Sequence, residues 1–199
     1  MRWKTLLPAI LAMLPILFTG TLGAIEPATL SPNLLRTLPR GTEIYKDLER
    51  KGDSLGVVTV AGYIDATPQQ VYKALTNPNL VTTLFPSVKK NEQRSRKGDL
   101  YVSYSELAFP WPMEDRWSLN ETRFFPEMHA IQWNRVDGTI KTNQGAWRLF
   151  PRGNKTLMIY RVRFDPGLSL VPAWLVEYGM KTEAPSIIRN VQNYFANQS

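Results

Sequence analysis

The chain has 199 residues, of which 43% are hydrophobic and 21% are charged. This balance is typical of a folded domain with a hydrophobic core and excludes an intrinsically disordered chain. The sequence contains no cysteine, which excludes disulfide bonds, thiol catalysis and metal sites with cysteine ligands.

Residues 1–24 have the pattern of a secretory signal peptide. A basic head, residues 1–4, precedes a strongly apolar stretch, residues 6–18, and small residues follow up to Ala24. This order predicts export to the periplasm or to the outside of the cell, with cleavage after Ala24. A membrane anchor through residues 5–25 is the alternative, because no charged residue interrupts that stretch.

The formal net charge is +7, and much of the excess lies in residues 89–97. One interpretation is a solvent-exposed edge of a β-hairpin, where lysine and arginine prevent pairing with other strands. The other is transient contact with a membrane surface through anionic lipid headgroups. Nucleic acid is not expected as a partner, since no nucleic-acid-binding motif accompanies the charge.

The chain after the leader begins with an arm, two strands and two short helices. Residues 25–41 contain three prolines and predict a linker or an arm over the surface. Strands are predicted at residues 42–49 and, with a β-branched sequence, at residues 55–64. Thr67 has the position of a helix N-cap before Pro68, and Pro78 separates the two helices that follow.

From Val88 onward the hydrophobic pattern has a period of two, which predicts an antiparallel meander. The turn sequences Gly98-Asp99, Asp137-Gly138 and Arg152-Gly153-Asn154 separate its strands. The predicted strands are residues 88–96, 100–107, 114–124, 129–136, 142–150 and 156–164.

A long helix is predicted near the C-terminus, over residues 172–195. Its second half places apolar residues at three- and four-residue steps, and Pro185 in its middle favours a bend. Its length is roughly 36 Å at about 1.5 Å per residue, enough to cross a sheet. The predicted fold class is therefore α+β, with residues 42–199 forming one domain in which a curved antiparallel sheet is closed over a cavity by this helix.

Four short motifs occur in order along this domain. They are Ile64-Asp-Ala-Thr-Pro68, Phe109-Pro-Trp111-Pro112, Gly145-Ala-Trp147 and Asp165-Pro-Gly167. Together they resemble the helix-grip superfamily, closest to its START lipid-transfer branch and including polyketide cyclases and coenzyme-Q-binding proteins. The resemblance covers roughly residues 41–196 and implies a helix-grip fold with a lipid or other hydrophobic ligand. Trp117 departs from it, because many START sequences carry an acidic residue at that position.

The sequence does not predict catalysis. His129 is the one histidine and is expected to be a surface or structural residue, whereas serine hydrolysis needs a histidine placed by a carboxylate. No metal-binding motif or glycine-rich phosphate loop is present, so no metal or cofactor is expected. The alternative is a cyclase- or isomerase-type enzyme on the same fold, with Arg116 and tyrosines polarising a carbonyl.

Alternation along the strands places several aromatic residues on one face of the sheet. They either fill the core between sheet and helix or line a hollow pocket with phenol and indole groups at its polar points. Glu106 and Arg116 either pair inside that pocket, holding a polar group of the ligand, or form an exposed ion pair of small consequence. The candidate ligand-binding residues are Tyr104, Glu106, Arg116, Trp133, Trp147, Met158, Tyr160, Phe164, Trp174, Tyr178 and Ile188.

The expected molecule is an exported monomer that shields a lipid or other hydrophobic molecule between its sheet and its long helix. Residues 167–180 and the turn at residues 109–112 are predicted to form the mouth of the cavity, with Trp174 and Leu175 meeting a membrane or sealing the entrance. A packed, ligand-free interaction module of the cell envelope is the remaining alternative.

Overall fold

The computed structural model describes residues 24–30, 32–38, 43–50, 55–109, 113–168 and 171–198. The predicted leader up to Gly23 and the tip of the predicted mouth, residues 110–112, lie outside the described residues. The described part contains the helices α1 (Pro32–Thr37), α2 (Pro68–Leu75), α3 (Val81–Leu84) and α4 (Ala173–Ala196). Its strands are β1 (Tyr45–Glu49), β2 (Val57–Ile64), β3 (Val88–Lys97), β4 (Leu100–Leu107), β5 (Arg116–Phe125), β6 (Ala130–Gly138), β7 (Thr142–Arg152) and β8 (Lys155–Asp165).

The strands form one antiparallel sheet in the order β1-β2-β8-β7-β6-β5-β4-β3. The α+β fold with a meander and a long C-terminal helix is confirmed, and each strand from β3 to β8 begins and ends within two residues of its predicted position. Strand β3 is at the edge of the sheet, where its basic residues blunt further strand pairing.

Helix α2 begins where the sequence predicted. Thr67 is its N-cap, and the backbone N–H of Gln70 donates to the Thr67 hydroxyl at 3.3 Å. The Gln70 side-chain oxygen accepts from the Thr67 N–H at 2.9 Å, which completes a capping box. This cap fixes the chain at the point where it leaves strand β2 and turns under the sheet.

The solid part of the core lies between helix α4 and strands β2 and β8. Ile188 on α4 and Met158 on β8 are both fully buried there. Gly62 on β2 allows the helix to approach closely, because a Cβ at that position would lie 2.7 Å from Ile188 Cγ2. Because the helix packs tightly against β2 and β8, the open space between helix and sheet lies toward strands β3 to β7.

Residues 24–30 and 32–38 cover the face of the sheet opposite to α4. Ile25 is buried against Val57 and Ala146, and Leu34 packs against a second apolar cluster that contains Leu157. The backbone carbonyl of Ile25 also accepts a hydrogen bond from the Gln132 side chain at 3.0 Å. The arm predicted over the surface contains helix α1, which its proline-rich sequence did not predict. No helix among the described residues is long and apolar enough to cross a membrane.

Candidate functional site

A cavity of about 920 Å³ lies between the concave face of the sheet and helix α4. Strands β3 to β8 form its wall on one side, and residues 175–190 of α4 close the other. The turn after α2 and the residues of α3 complete it. Its volume falls near the upper end of the roughly 300–1,000 Å³ that is usual for small-molecule sites.

Three aromatic rings in mutual contact form the central wall of this cavity. The ring centroids of Trp147 and Tyr160 are 4.3 Å apart, and Trp133 stacks on Tyr160 at 5.7 Å. Phe85, next to α3, stacks on Trp147 at 5.8 Å. Rings in mutual contact lose little freedom when a ligand arrives, so this wall is already ordered for an apolar guest.

Gly145 makes room for the first of these rings. It pairs with Trp133 across strands β6 and β7, and a Cβ on Gly145 would collide with the indole ring. The indole therefore lies flat over the glycine backbone, and its Nε1 donates to Asn143 Oδ1 at 2.9 Å.

A closed network of neutral polar groups continues from that indole along the wall. Asn143 Nδ2 donates to Asn120 Oδ1 at 3.2 Å, and Asn120 Nδ2 donates to Ser118 Oγ at 2.9 Å. Ser118 and Asn120 are buried. Each amide in the network has partners within the protein, so the network orients Trp133 and leaves the wall polar without a charge.

A second polar group lies on strands β3 and β4. Ser105 Oγ donates to Asn91 Oδ1 at 3.0 Å, and Tyr101 is buried beside Phe124, with ring centroids 5.9 Å apart. Burial raises the pKa of the Tyr101 hydroxyl. The pKa of Tyr160 is also raised, well above the ordinary value for tyrosine, because that ring is removed from solvent. Both phenols are protonated near neutral pH, as tyrosine ordinarily is, and burial extends that state to higher pH.

Charged groups are scarce around the cavity. Among the described residues that line it, Glu183 on α4 is the one acidic residue, no basic residue is among them, and Glu183 is exposed. No described group of histidine, aspartate and glutamate side chains could hold a metal ion. The cavity wall therefore combines apolar surface with neutral hydrogen-bonding groups.

Five of the residues predicted from the sequence line the cavity, namely Trp133, Trp147, Tyr160, Phe164 and Tyr178. Met158 and Ile188 belong to the solid core next to it and are fully buried. Trp174 lies on the first turn of α4 with 65% of its surface exposed. Inward orientation is correct for the aromatic set on strands β6 to β8, whereas Met158 and Ile188 do not reach the open space.

Tyr104, Glu106 and Arg116 do not form the polar site expected of them. Register places Trp117 opposite Glu106, while Arg116 pairs with Leu107, so the two charged side chains point to opposite faces of the sheet. Tyr104 and Glu106 lie on the outer face, where the Tyr104 hydroxyl donates to Glu106 at 3.4 Å. The residues of β4 that face the cavity are Tyr101, Ser103, Ser105 and Leu107.

Four polar residues of the cavity wall were not identified from the sequence, namely Asn91, Ser103, Asn120 and Asn143. A signal for them exists in the sequence, because Ser103 and Asn120 occupy inward positions of amphipathic strands where apolar residues are the rule. Reading that signal requires the register between the strands.

The mouth of the cavity lies at the start of α4. Leu175 and Tyr178 both line the cavity and remain exposed, by 42% and 66% respectively. Phe109 and Met113, from the loop between β4 and β5, line it too, and so does Leu168 after β8. The apolar lining is thus continuous with exposed apolar surface, and these segments are the ones in which the mouth was predicted.

Comparison with known proteins agrees with this geometry. The family model described as polyketide cyclase / dehydrase and lipid transport matches residues 64–192. No curated protein matches the sequence.

Three solved structures are similar to this chain. The STAR-related lipid transfer protein from Xanthomonas axonopodis superposes with a TM-score of 0.67 at 20% identity, covering 80% of this chain and 97% of that one. Human STARD10 gives 0.62 at 13% identity, covering 86% and 81%. The Zhui aromatase/cyclase from a Streptomyces species gives 0.62 at 14% identity, covering 71% and 94%. These likenesses establish the helix-grip fold.

Proposed function

Because this chain belongs to the polyketide cyclase / dehydrase and lipid transport family, we propose that it binds and carries a lipid or another hydrophobic molecule. The observation that carries this proposal is the cavity of about 920 Å³ between sheet and helix α4, with its preformed aromatic wall. A ligand that leaves water for this space gains about 25 cal/mol for each Å² of apolar surface buried.

We propose further that the protein acts after export, in the periplasm or outside the cell, and collects its ligand at a membrane surface. The leader pattern of residues 1–24 supports export. The exposed side chains of Trp174, Leu175 and Tyr178 support membrane contact, because they form an apolar surface at the mouth. An apolar ligand that passes from a bilayer through this mouth avoids exposure to water.

A second candidate function is a cyclase- or isomerase-type reaction in the same cavity. The observation in its favour is the Tyr160 hydroxyl, which lies in the aromatic wall of the cavity and whose pKa is raised further by burial. A protonated phenol in a site of low polarity can polarise a carbonyl oxygen. The two functions differ in whether the bound molecule leaves unchanged.

Extraction of the purified protein with organic solvent, followed by mass spectrometry, tests the proposal. The full chain should be expressed with its own leader, and N-terminal sequencing should give a mature start near Ile25. We expect an apolar compound to copurify and to be recovered unchanged after incubation with the protein. Conversion of that compound would support the enzyme instead. Failure to retain any apolar compound, including fluorescent lipids added afterwards, would reject both.

A further inference from the structure

Two hydrogen-bond donors in the cavity wall are buried without a partner among the described residues. They are the amide nitrogen Nδ2 of Asn91 and the hydroxyl of Tyr101. Tyr101 has 8% of its surface exposed. The Asn91 oxygen is already used, since it accepts from Ser105. A buried donor that has given up water without gaining a partner destabilises a protein, so such a pair calls for an explanation.

The two donors act on the same region of the cavity. Asn91 on β3 and Tyr101 on β4 both line it, and the strands are direct neighbours in the sheet. Burial raises the pKa of the Tyr101 hydroxyl, whereas a hydrogen-bonding interaction with the Asn91 side chain and the charge of Arg96 lower it. The two side chains are therefore close to each other, although no hydrogen bond of normal geometry joins them.

This pair differs from the other polar group of the wall. The amides of Asn120 and Asn143 bond to each other, and their remaining groups bond to Ser118 and Trp133. Each side-chain nitrogen and oxygen of that network has at least one partner within the protein. Asn91 and Tyr101 still have donors to offer.

The charge of the wall limits what these donors can bind. No lysine, arginine or histidine is among the described residues that line the cavity. Arg96, opposite Tyr101 on β3, acts on the phenol but remains exposed to solvent. An ionised carboxylate or phosphate placed inside would lose its hydration and gain only this solvent-screened charge, which is unfavourable. A carbonyl, ester or hydroxyl oxygen loses far less and accepts from both donors.

The position of the pair fits a ligand that enters with its neutral polar group first. Asn91 pairs with Ser105, two residues along β4 from Leu107 at the mouth side. Tyr101 lies four residues further in, so the two residues lie between about 7 and 20 Å from Leu107 at roughly 3.3 Å per residue. The apolar remainder of such a ligand would extend past the adjacent rings of Trp147 and Tyr160 toward α4.

We propose that Asn91 and Tyr101 form a subsite that donates hydrogen bonds to an uncharged oxygen of the ligand. The cavity thereby selects lipids with a buried hydroxyl, ketone or ester over lipids whose buried end is ionised. This assignment rests on the proposed function and specifies its ligand class.

Four probes with the same chain length test the subsite: dodecane, dodecanol, methyl dodecanoate and dodecanoate, the last ionised at neutral pH. Their affinities are measured by displacement of a fluorescent apolar dye from the full mature protein. We expect dodecanol and the ester to bind about threefold to tenfold more tightly than dodecane, and dodecanoate to bind more weakly than both.

The variant Tyr101→Phe keeps the ring and removes the hydroxyl. It should reduce the preference for dodecanol over dodecane while leaving the affinity for dodecane unchanged, and Asn91→Leu should act in the same direction. Tyr104→Phe removes a hydroxyl from the outer face of the same strand and should change neither affinity. The ligand-free Tyr101→Phe protein should lose no thermal stability, because its missing hydroxyl had no partner.

The subsite is overturned if Tyr101→Phe weakens dodecane and dodecanol equally, if it changes neither, or if dodecanoate binds most tightly to the wild type. Binding of all four probes with equal affinity would also overturn it, yet would leave the hydrophobic cavity in place. If the wild type binds none of the four, the proposed function itself fails and the subsite fails with it.

Discussion

The carboxylate of Glu177 on helix α4 accepts a hydrogen bond from the backbone N–H of Gly56 at 2.9 Å, across 121 residues of sequence. The same carboxylate forms an ion pair with Arg50. Glu177 is buried, whereas Leu175 and Tyr178 beside it are exposed at the mouth. The first half of α4 is therefore held to the β1–β2 hairpin on one side and borders the cavity on the other.

Replacing Glu177 with alanine should loosen this half of the helix. The buried Gly56 N–H loses its charged acceptor, for which we expect a loss of about 1–3 kcal/mol in the free energy of unfolding. Ligand exchange should become faster, because the mouth is no longer fixed to the hairpin. Urea unfolding and stopped-flow exchange of a fluorescent lipid measure the two effects. Lys181→Ala, at an exposed position of the same helix, is the control. Equal results for both variants would show that the contacts of Glu177 do not hold the helix to the hairpin.

Filling the cavity should abolish binding without harming the fold. Ser103→Phe directs a phenyl ring from the middle of β4 into the open space, and we expect at least about a tenfold loss of affinity for an apolar ligand. Thermal stability should not fall, since the new ring occupies empty volume. Val102→Phe adds similar bulk to the outer face of the same strand and should bind normally. Unchanged affinity in Ser103→Phe would show that the ligand occupies another place.

Exposed aromatic surface at the mouth predicts the effect of Trp174→Ala on membrane contact. Removing this ring, which is 65% exposed, should weaken association with phospholipid vesicles by about tenfold, as expected for the loss of a large apolar contact. Vesicle co-sedimentation measures it. Met128→Ala removes an exposed side chain at the other end of strand β5 and serves as the control; a similar effect of both changes would place the contact elsewhere.

The raised pKa of Tyr72 should make the free energy of unfolding fall at alkaline pH. Burial raises its pKa from 10.0 to about 12, Asp99 adds to the rise, and Arg96 opposes it. The folded protein therefore keeps a proton that the unfolded chain has lost. This contribution is fully present below the unfolded value and is lost as the pH increases through the folded one.

In Tyr72→Phe the decline of unfolding free energy between those two pH values should be shallower than in the wild type. Part of the decline should remain in this variant, since burial also raises the pKa of Tyr101. Urea titrations at a series of alkaline pH values give both slopes. Identical slopes would mean that Tyr72 does not couple to folding.

The strands and the long helix were predictable because each obeys one clear period. Alternation over β4 to β8 and three- and four-residue spacing in α4 depend only on which face is buried. Helix α1 has no such signal, because its six residues begin at Pro32 within a proline-rich segment. Its leucines are informative only once the apolar outer face that they cover is known.

The polar part of the site could not be derived by counting along the strands. Tyr104 was predicted to line the cavity, but Tyr101 lines it instead. Strand β3 contains a bulge between Val88 and Lys90. That irregularity shifts the alternation, so Val88 and Asn91 both face the cavity although they are three residues apart. Irregularities of this kind follow from packing between strands, which a local pattern does not contain.

The contact between Gly145 and the Trp133 ring makes the size of the cavity a property of two positions together. A side chain larger than hydrogen at position 145 displaces the indole into the space where a ligand would lie. A smaller residue at position 133 would instead widen the cavity and release position 145 from its restriction to glycine. Paired substitutions at positions 133 and 145 would thus change the width of this cavity without any change in its loops or in helix α4.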